Sequence, residues 1–204
     1  KAFLICITNP LDAMVNILHP SSKVKHHMCV GMAGILDSSR MKYFLSKALN
    51  VSIKNIETFV LGGHGDTMVP MIRYTTISGI PIQELIKNKT ISKKRVNDIL
   101  KRTQNGGGEI NQLLKKGSAF YAPASSAVQM AESFLKNKKM ILPCAAYLNG
   151  EYGVKGLYVG VPVIIGNKGV EKIIKLKLTD IERKQFKNSV NAVRKLVNLS
   201  SKLF

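Results

Sequence analysis

His64 stands in the stretch VLGGHGDTMVP (residues 60–70), one of four histidines in the chain, with Gly62, Gly63 and Gly65 around it and Asp66 two positions on. Glycine offers no side chain to pack against and loses much conformational freedom on folding. A packing role therefore explains this histidine poorly. A reagent held where backbone and ligand come close explains it better. A working imidazole is oriented by a partner on its second nitrogen. Asp66 is two residues away, a spacing that in an extended segment puts both side chains on one face but splays them apart. Asp37, in LDSSR (36–40), comes from a separate segment and is the preferred partner. Asp37 and Arg40 are three apart at the start of a helical pattern, so they share a face. A first-turn acid favoured by the helix dipole, with an ion pair worth roughly 0.2–0.5 kcal/mol, accounts for both equally well. The chemical alternative has Asp37 hold one imidazole nitrogen while Arg40 grips a ligand carboxylate through its planar fork. Asn9, in TNP (8–10), closes a strand-like run, the position at which ligands bind in open parallel sheets; read locally, it is a turn-forming Asn-Pro.

Other chemistries fare worse. His19, His26 and His27 have no ligand spacing with carboxylates, and His26-His27 with Cys29 is a poor metal pattern, so no metal is expected. The net charge of +19 points toward nucleic acid or another anionic surface. Arginine, the better fork for phosphate and base edges, nevertheless supplies only six of the 31 basic side chains, and the lysines are scattered. No specific nucleic-acid binding is expected, although a non-catalytic basic module binding an anionic polymer stays the alternative from another class. Cys6, Cys29 and Cys144 form no CxxC pair, and an odd number argues against a disulfide framework, which predicts a reducing cytoplasm. No apolar run reaches the roughly 20 residues that a membrane span needs, so no membrane partner is expected. The chain opens at Lys1, without Met, directly on the strand-like AFLICIT, and reads as cut from within a longer sequence.

The positioning elements follow from periodicity. Residues 2–8 form a continuous apolar run, as in a strand buried on both faces. The helix LDAMVNIL, a Pro/Ser/Lys/His loop and the strand MCVGMA come next, making a right-handed parallel unit whose remaining partners lie elsewhere. From Asp37 a helix carries Met41, Phe44, Leu45 and Leu49 on one stripe. IETFVLGG and MVPMIRYTTI read as strands, the latter turned at Ser78-Gly79. Residues 92–118 are helical in period, with Val96, Ile99, Leu100, Ile110 and Leu113, but three glycines at about 1 kcal/mol each predict a break at Gly106–Gly108, a bend or a close approach. A helix over 124–136 with Ala127, Val128, Ala131 and Leu135 in step, the strands MILPCAAYL and GLYVGVPVIIG, and the half-wet strand KIIKLKL follow. Thr179 and Glu182 then open a last helix in capping-box spacing, with Phe186, Val190, Val193 and Val197 inward. The organisation is a truncated parallel α/β piece over residues 1–35, then a mixed α+β domain over 36–204.

ITNPLDAMV, GMAGILDSSR, VLGGHGDTMVP and NGGGEI, in that order, with GSAFYAPASSA and GEYGV, resemble the lactate/malate dehydrogenase family, in particular its lactate-dehydrogenase-like malate dehydrogenase branch. The likeness implies that residues 1–35 are the end of a Rossmann-type dinucleotide-binding domain and residues 36–204 the substrate domain. It implies NAD as cofactor and a small 2-hydroxy or 2-oxo dicarboxylic acid as substrate, malate and oxaloacetate before lactate, in a homodimer or homotetramer. It makes His64 the proton donor and acceptor, Asp37 its carboxylate partner and Arg40 the ligand of the substrate carboxylate. Asn9 would touch substrate hydroxyl and nicotinamide, with Ile7 and Thr8 lining the cofactor. The family's GxGxxG phosphate loop, its ribose-binding acid and the mobile loop with two further arginines have no counterpart in the 204 residues. These residues alone are therefore expected to bind NAD poorly and turn over nothing, and to be poorly soluble because the 2–8 strand edge lacks neighbours.

Overall fold

Along the chain come β1 (Leu4–Cys6), α1 (Leu11–Ser22), β2 (Cys29–Gly31), α2 (Gly34–Leu49), β3 (Ile56–Glu57), β4 (Val60–Leu61), β5 (Val69–Pro70), β6 (Thr76–Ile77), β7 (Ile80–Pro81), α3 (Ile82–Lys87), α4 (Lys93–Leu114), α5 (Tyr121–Leu135), β8 (Met140–Asn149), β9 (Lys155–Gly166), β10 (Gly169–Ile173) and α6 (Asp180–Ser200). The computed structural model describes residues 2–200; Lys1 and residues 201–204, the outer ends of the two expected units, lie outside the described residues.

The apolar runs assemble one mixed sheet in the order β1-β2-β8-β9-β10. β1 and β2 are parallel with α1 as their crossover, as the pattern predicts. β8 and β9 form a long antiparallel hairpin from Met140↔Ile165 to Asn149↔Lys155. Their inward side chains, Leu142, Cys144, Leu148, Val159, Val161 and Ile165 among them, anchor the largest core, against which Phe186, Val190 and Val193 of α6 pack. At roughly 1.5–3 kcal/mol for each fully buried large apolar side chain, this hairpin is the frame on which the rest is hung. β1 lies at the edge of the sheet, and only its three central residues pair, so Phe3, Leu4 and Ile5 stay partly exposed and Ile7 is 44% exposed rather than buried on both faces.

α2 starts at Gly34, a turn earlier than Asp37, and buries Met41 and Leu45 completely in a second core with β3, α3 and α4. Several further expectations are corrected. IETFVLGG is not one strand: β3 pairs β6 while β4 pairs β5, and the chain changes layer at Thr58, whose buried hydroxyl meets that of Thr75 at 2.7 Å. MVPMIRYTTI is likewise split by a helical turn at Ile72–Tyr74, although the reversal at Ser78-Gly79 occurs, with φ of 49° and 83°. α4 runs unbroken through Gly106–Gly108, because tertiary packing overrides propensity; Gly106 lies so close to Arg40 that a Cβ would come within 3.1 Å of its Cδ. The same helix leaves Leu113 75% exposed. α5 turns Ser126, Met130 and Ser133 inward, with Ser133 Oγ donating to Ile165 O at 2.7 Å, so Val128 and Leu135 face out.

Nor is KIIKLKL a strand beyond Ile173. Ile174, Leu176 and Leu178 do alternate inward with exposed lysines, but the last contact with a neighbouring strand is Ile174 N, which donates to Pro162 O of β9 at 2.8 Å. The Tyr152 hydroxyl substitutes, donating to Ile174 O at 2.6 Å and accepting from Leu176 N at 3.0 Å. The capping box at Thr179 forms as predicted, with Thr179 N donating to Glu182 Oε2 at 2.8 Å and Glu182 N to Thr179 Oγ1 at 3.3 Å. All three cysteines are buried and free. Burial pushes the Cys144 thiol up to about 12 and is the main cause that raises Cys29 to about 11. Neither carries appreciable thiolate at neutral pH. Among the described residues no helix is long and apolar enough to cross a membrane, and no cluster of three His, Cys, Asp or Glu side chains could hold a metal ion.

Candidate active site

Four segments converge on one open cleft of about 480 Å³, lined by Asn9, Asp37, Arg40, His64, Gln104 and Gly108 with their neighbours. The segment leaving β1 brings Asn9, α2 brings Asp37 and Arg40 from consecutive turns, the loop after β4 brings His64, and α4 brings Gln104 and its glycines. Ile7 and Thr8 are exposed on the run leading to Asn9 and stand outside the lining of the cleft. Asp66 lines the cleft but makes no contact with the imidazole; His64 Nδ1 pairs with Asp37 Oδ2 at 2.8 Å. The other oxygen of Asp37 accepts from Arg40 NH1 at 3.2 Å. One carboxylate, 1% exposed, thus ties together a histidine and an arginine whose side chains are 11% and 12% exposed.

Gly62 and Gly63 are explained by what presses on them, whereas a Cβ on Gly65 would meet nothing within 4 Å. Gly62, at φ 86°, forms a two-way backbone bridge with Gly160 of β9, its N donating to Gly160 O at 2.8 Å and its O accepting from Gly160 N at 3.0 Å. On the other side α6 is in contact: Gly63 N donates to Ser189 Oγ at 2.8 Å, and a Cβ on Gly63 would stand 2.6 Å from Val193 and 3.1 Å from Asp12. His64 N donates to Asp12 Oδ2 at 2.7 Å. With the main chain clamped by α1, α6 and β9, the imidazole has little freedom other than its own torsions.

Asp12 and Ser189 escaped the sequence reading. An acid in the first turn of a helix has a sufficient local explanation in the dipole, and the single usable signal is that LDAMV places it inside an otherwise apolar face. Ser189 carries no signal, since it sits one position from the buried stripe of α6.

The electrostatics favour a protonatable imidazole. Burial pulls the pKa of His64 down, but the charge and hydrogen bond of Asp37, followed by the charge of Asp12, outweigh it and the opposing Arg40, so the net shift is upward from 6.5. With Nδ1 committed to Asp37, Nε2 is the nitrogen left to exchange a proton with a ligand. Arg40 NH1 is paired with Asp37 and its Nε is buried without a hydrogen-bond partner among the described residues, so Asp37 does not take all the donors of the guanidinium. A proton carrier beside an anion-holding fork suits a ligand that combines a carboxylate with a neighbouring oxygen that gains or loses a proton.

Residues 35–203 match the family described as lactate/malate dehydrogenase, alpha/beta C-terminal domain. Malate dehydrogenase from Cryptosporidium parvum superposes with a TM-score of 0.97 at 46% identity, covering 98% of this chain and 64% of that one. Lactate dehydrogenase from Eimeria maxima, solved with NADH and oxamate, gives 0.95 at 47% identity, covering 99% and 63%. Malate dehydrogenase from Plasmodium falciparum gives 0.96 at 40% identity, covering 100% and 64%. The chain therefore spans just under two thirds of the length of these similar structures. With the sheet order, the cleft and the matched sequence in agreement, the chain belongs to the lactate/malate dehydrogenase family.

Proposed function

We propose that the protein to which this chain belongs transfers a hydride between NAD and a 2-hydroxy acid, with malate and oxaloacetate as the favoured pair. The observation that carries the reading is the Asp37 carboxylate shared by His64 and Arg40 at the wall of one cleft. In reduction of a 2-oxo acid, Arg40 holds the substrate carboxylate so that the carbonyl oxygen points at His64. Nε2 of the imidazolium then gives its proton to that oxygen as negative charge develops on it, and Asp37 stabilises the cation beforehand and keeps the ring in the tautomer that returns the proton in oxidation. NAD, when bound, supplies or takes the hydride. Asn9 in the cleft, with Ile7 and Thr8 exposed beside it at the carboxyl end of β1, fits the nicotinamide end of that cofactor. The 204 residues hold no glycine-rich loop to fit its phosphates.

In this reading residues 1–35 close a dinucleotide-binding domain and 36–204 form the substrate domain. Malate is favoured by the wording GGHGD and NGGGEI. Lactate is the second reading, favoured by the 47% identity to a lactate dehydrogenase. The buried free thiols support a cytoplasmic setting, and the exposed Tyr121, Val128 and Leu135 on α5 support assembly into a homodimer or homotetramer. The deciding experiment uses the full-length protein: oxaloacetate should be reduced with a higher kcat/KM than pyruvate, and His64→Ala should abolish turnover while NADH still binds. Unchanged rates in that variant reject the assignment.

A further inference from the structure

We propose that Asp12 is a positioning residue for proton transfer at His64, holding the main chain of that histidine from α1 and placing a second carboxylate beside its imidazole. The inference rests on the dehydrogenase reading of the site.

Asp12 is 5% exposed, and neither oxygen caps its own helix. Oδ2 instead accepts from His64 N at 2.7 Å, across 52 residues of sequence. Oδ1 is buried with no hydrogen-bond partner among the described residues. If the role were only to accept one N–H, asparagine would serve without bringing a carboxylate out of water, and an unsatisfied buried oxygen is costly. The charge itself is what the position uses. The charged groups facing His64 are Asp37 and Arg40 of α2 and Asp12 of α1; those facing Asp12 are His64 and Asp37.

Burial raises the Asp12 carboxyl to about 6, against the opposing hydrogen bond and charge of His64. Asp12 and His64 therefore influence each other's titration, the charge of each favouring the ionised form of the other. Once Asp12 has lost its proton, two carboxylates favour the imidazolium up to the raised pKa of His64. While Asp12 is protonated it is neutral, and Asp37 alone remains.

The test uses the full-length protein with Asp12→Asn and Asp12→Ala, read by nuclear magnetic resonance titration of the His64 ring nitrogens and by kcat/KM against pH for 2-oxo acid reduction. Asn keeps the acceptor for His64 N and removes the charge. It should therefore lower the imidazole pKa and move the falling alkaline limb of the rate profile to lower pH, with kcat on the acid plateau close to wild type. Ala removes both and should also cut kcat roughly a hundredfold, the loss that goes with about 1 Å of misplacement, with little change in KM. An Asn variant with the wild-type titration and limb overturns the proposal. If that variant does not fold, wild-type protein decides: His64 resonances should show a second inflection coincident with titration of the Asp12 carboxyl carbon, and a single inflection refutes the coupling. These titrations report on Asp12 even in a protein that turns over neither oxaloacetate nor pyruvate, so failure of the dehydrogenase reading is seen separately.

Discussion

Replacing Gly160 with alanine places a methyl group in β9, far in sequence from any residue with a chemical role, yet the structure makes it a test of how His64 is held. An ideal Cβ at that position overlaps the Gly62 carbonyl oxygen, which is backbone and has no rotamer to change. The 62–64 loop must recede by roughly 1 Å, a displacement that in an enzyme site can cost about a hundredfold in rate. Two hydrogen bonds between Gly62 and Gly160, worth about 1 kcal/mol each, weaken together. Overpacking of the β9 strand adds about 1–3 kcal/mol, so the variant should lose about 2–4 kcal/mol in all. At roughly 2–4 °C per kcal/mol for a chain of this size, the Tm should fall by about 5–15 °C. Calorimetry and steady-state kinetics on the full-length protein measure both effects. A variant with wild-type Tm and wild-type kcat/KM refutes the clamp, because the methyl could then be accommodated without moving His64.

Asp37→Ala leaves Arg40 and His64 buried without their shared carboxylate; it should cost about 3–5 kcal/mol in chemical denaturation, and a loss under 1 kcal/mol would remove Asp37 from its bridging role. Gly108→Ala, where a Cβ meets nothing within 4 Å, should stabilise α4 by about 0.5–1 kcal/mol, whereas Gly106→Ala should gain less because Arg40 must give way; equal gains in Tm would contradict that contact. His64, its pKa raised, contributes stability that is fully present below pH 6.5 and lost as pH rises through its folded value. Asp12, a carboxyl raised from 3.8 to about 6, favours the fold when protonated, so its contribution declines across that interval. Denaturation curves against pH should show both declines, with the upper one absent in His64→Gln.

Where local and tertiary preferences agree, the sequence was readable. The β8–β9 hairpin, the capping box at Thr179 and the inward stripe of α6 each follow from periodicity or turn chemistry alone. His64 is legible as a glycine-flanked histidine, whereas Asp37 and Arg40 have an equally good local account and gain their roles from the family resemblance; the structure brings all three into one cleft with Asn9. The failures share a cause. Gly106 breaks no helix because Arg40 packs against it, the chain leaves β9 after Ile174 N because the Tyr152 hydroxyl takes the partner's part from Ile174 O onward, and α5 presents the opposite face because Ser133 bonds the Ile165 carbonyl. Each depends on a partner distant in sequence, which no window of ten or fifteen residues contains. Asp12 was hidden for the opposite reason, since a local explanation was already sufficient for it.

The Gly63–Ser189 contact joins positions 126 apart, and Asp12 to His64 closes 52, whereas Asp37 and Arg40 meet within one turn. Loop-closure entropy delays pairs of wide separation. During synthesis on the ribosome the acid–guanidinium pair can therefore form as soon as α2 emerges, while the histidine stays unseated until α6 has left the exit tunnel and closed over it. A nascent chain halted before residue 189 would carry Asp12, Asp37, Arg40 and His64 yet lack the Ser189 latch, so the proposed proton transfer would wait for α6.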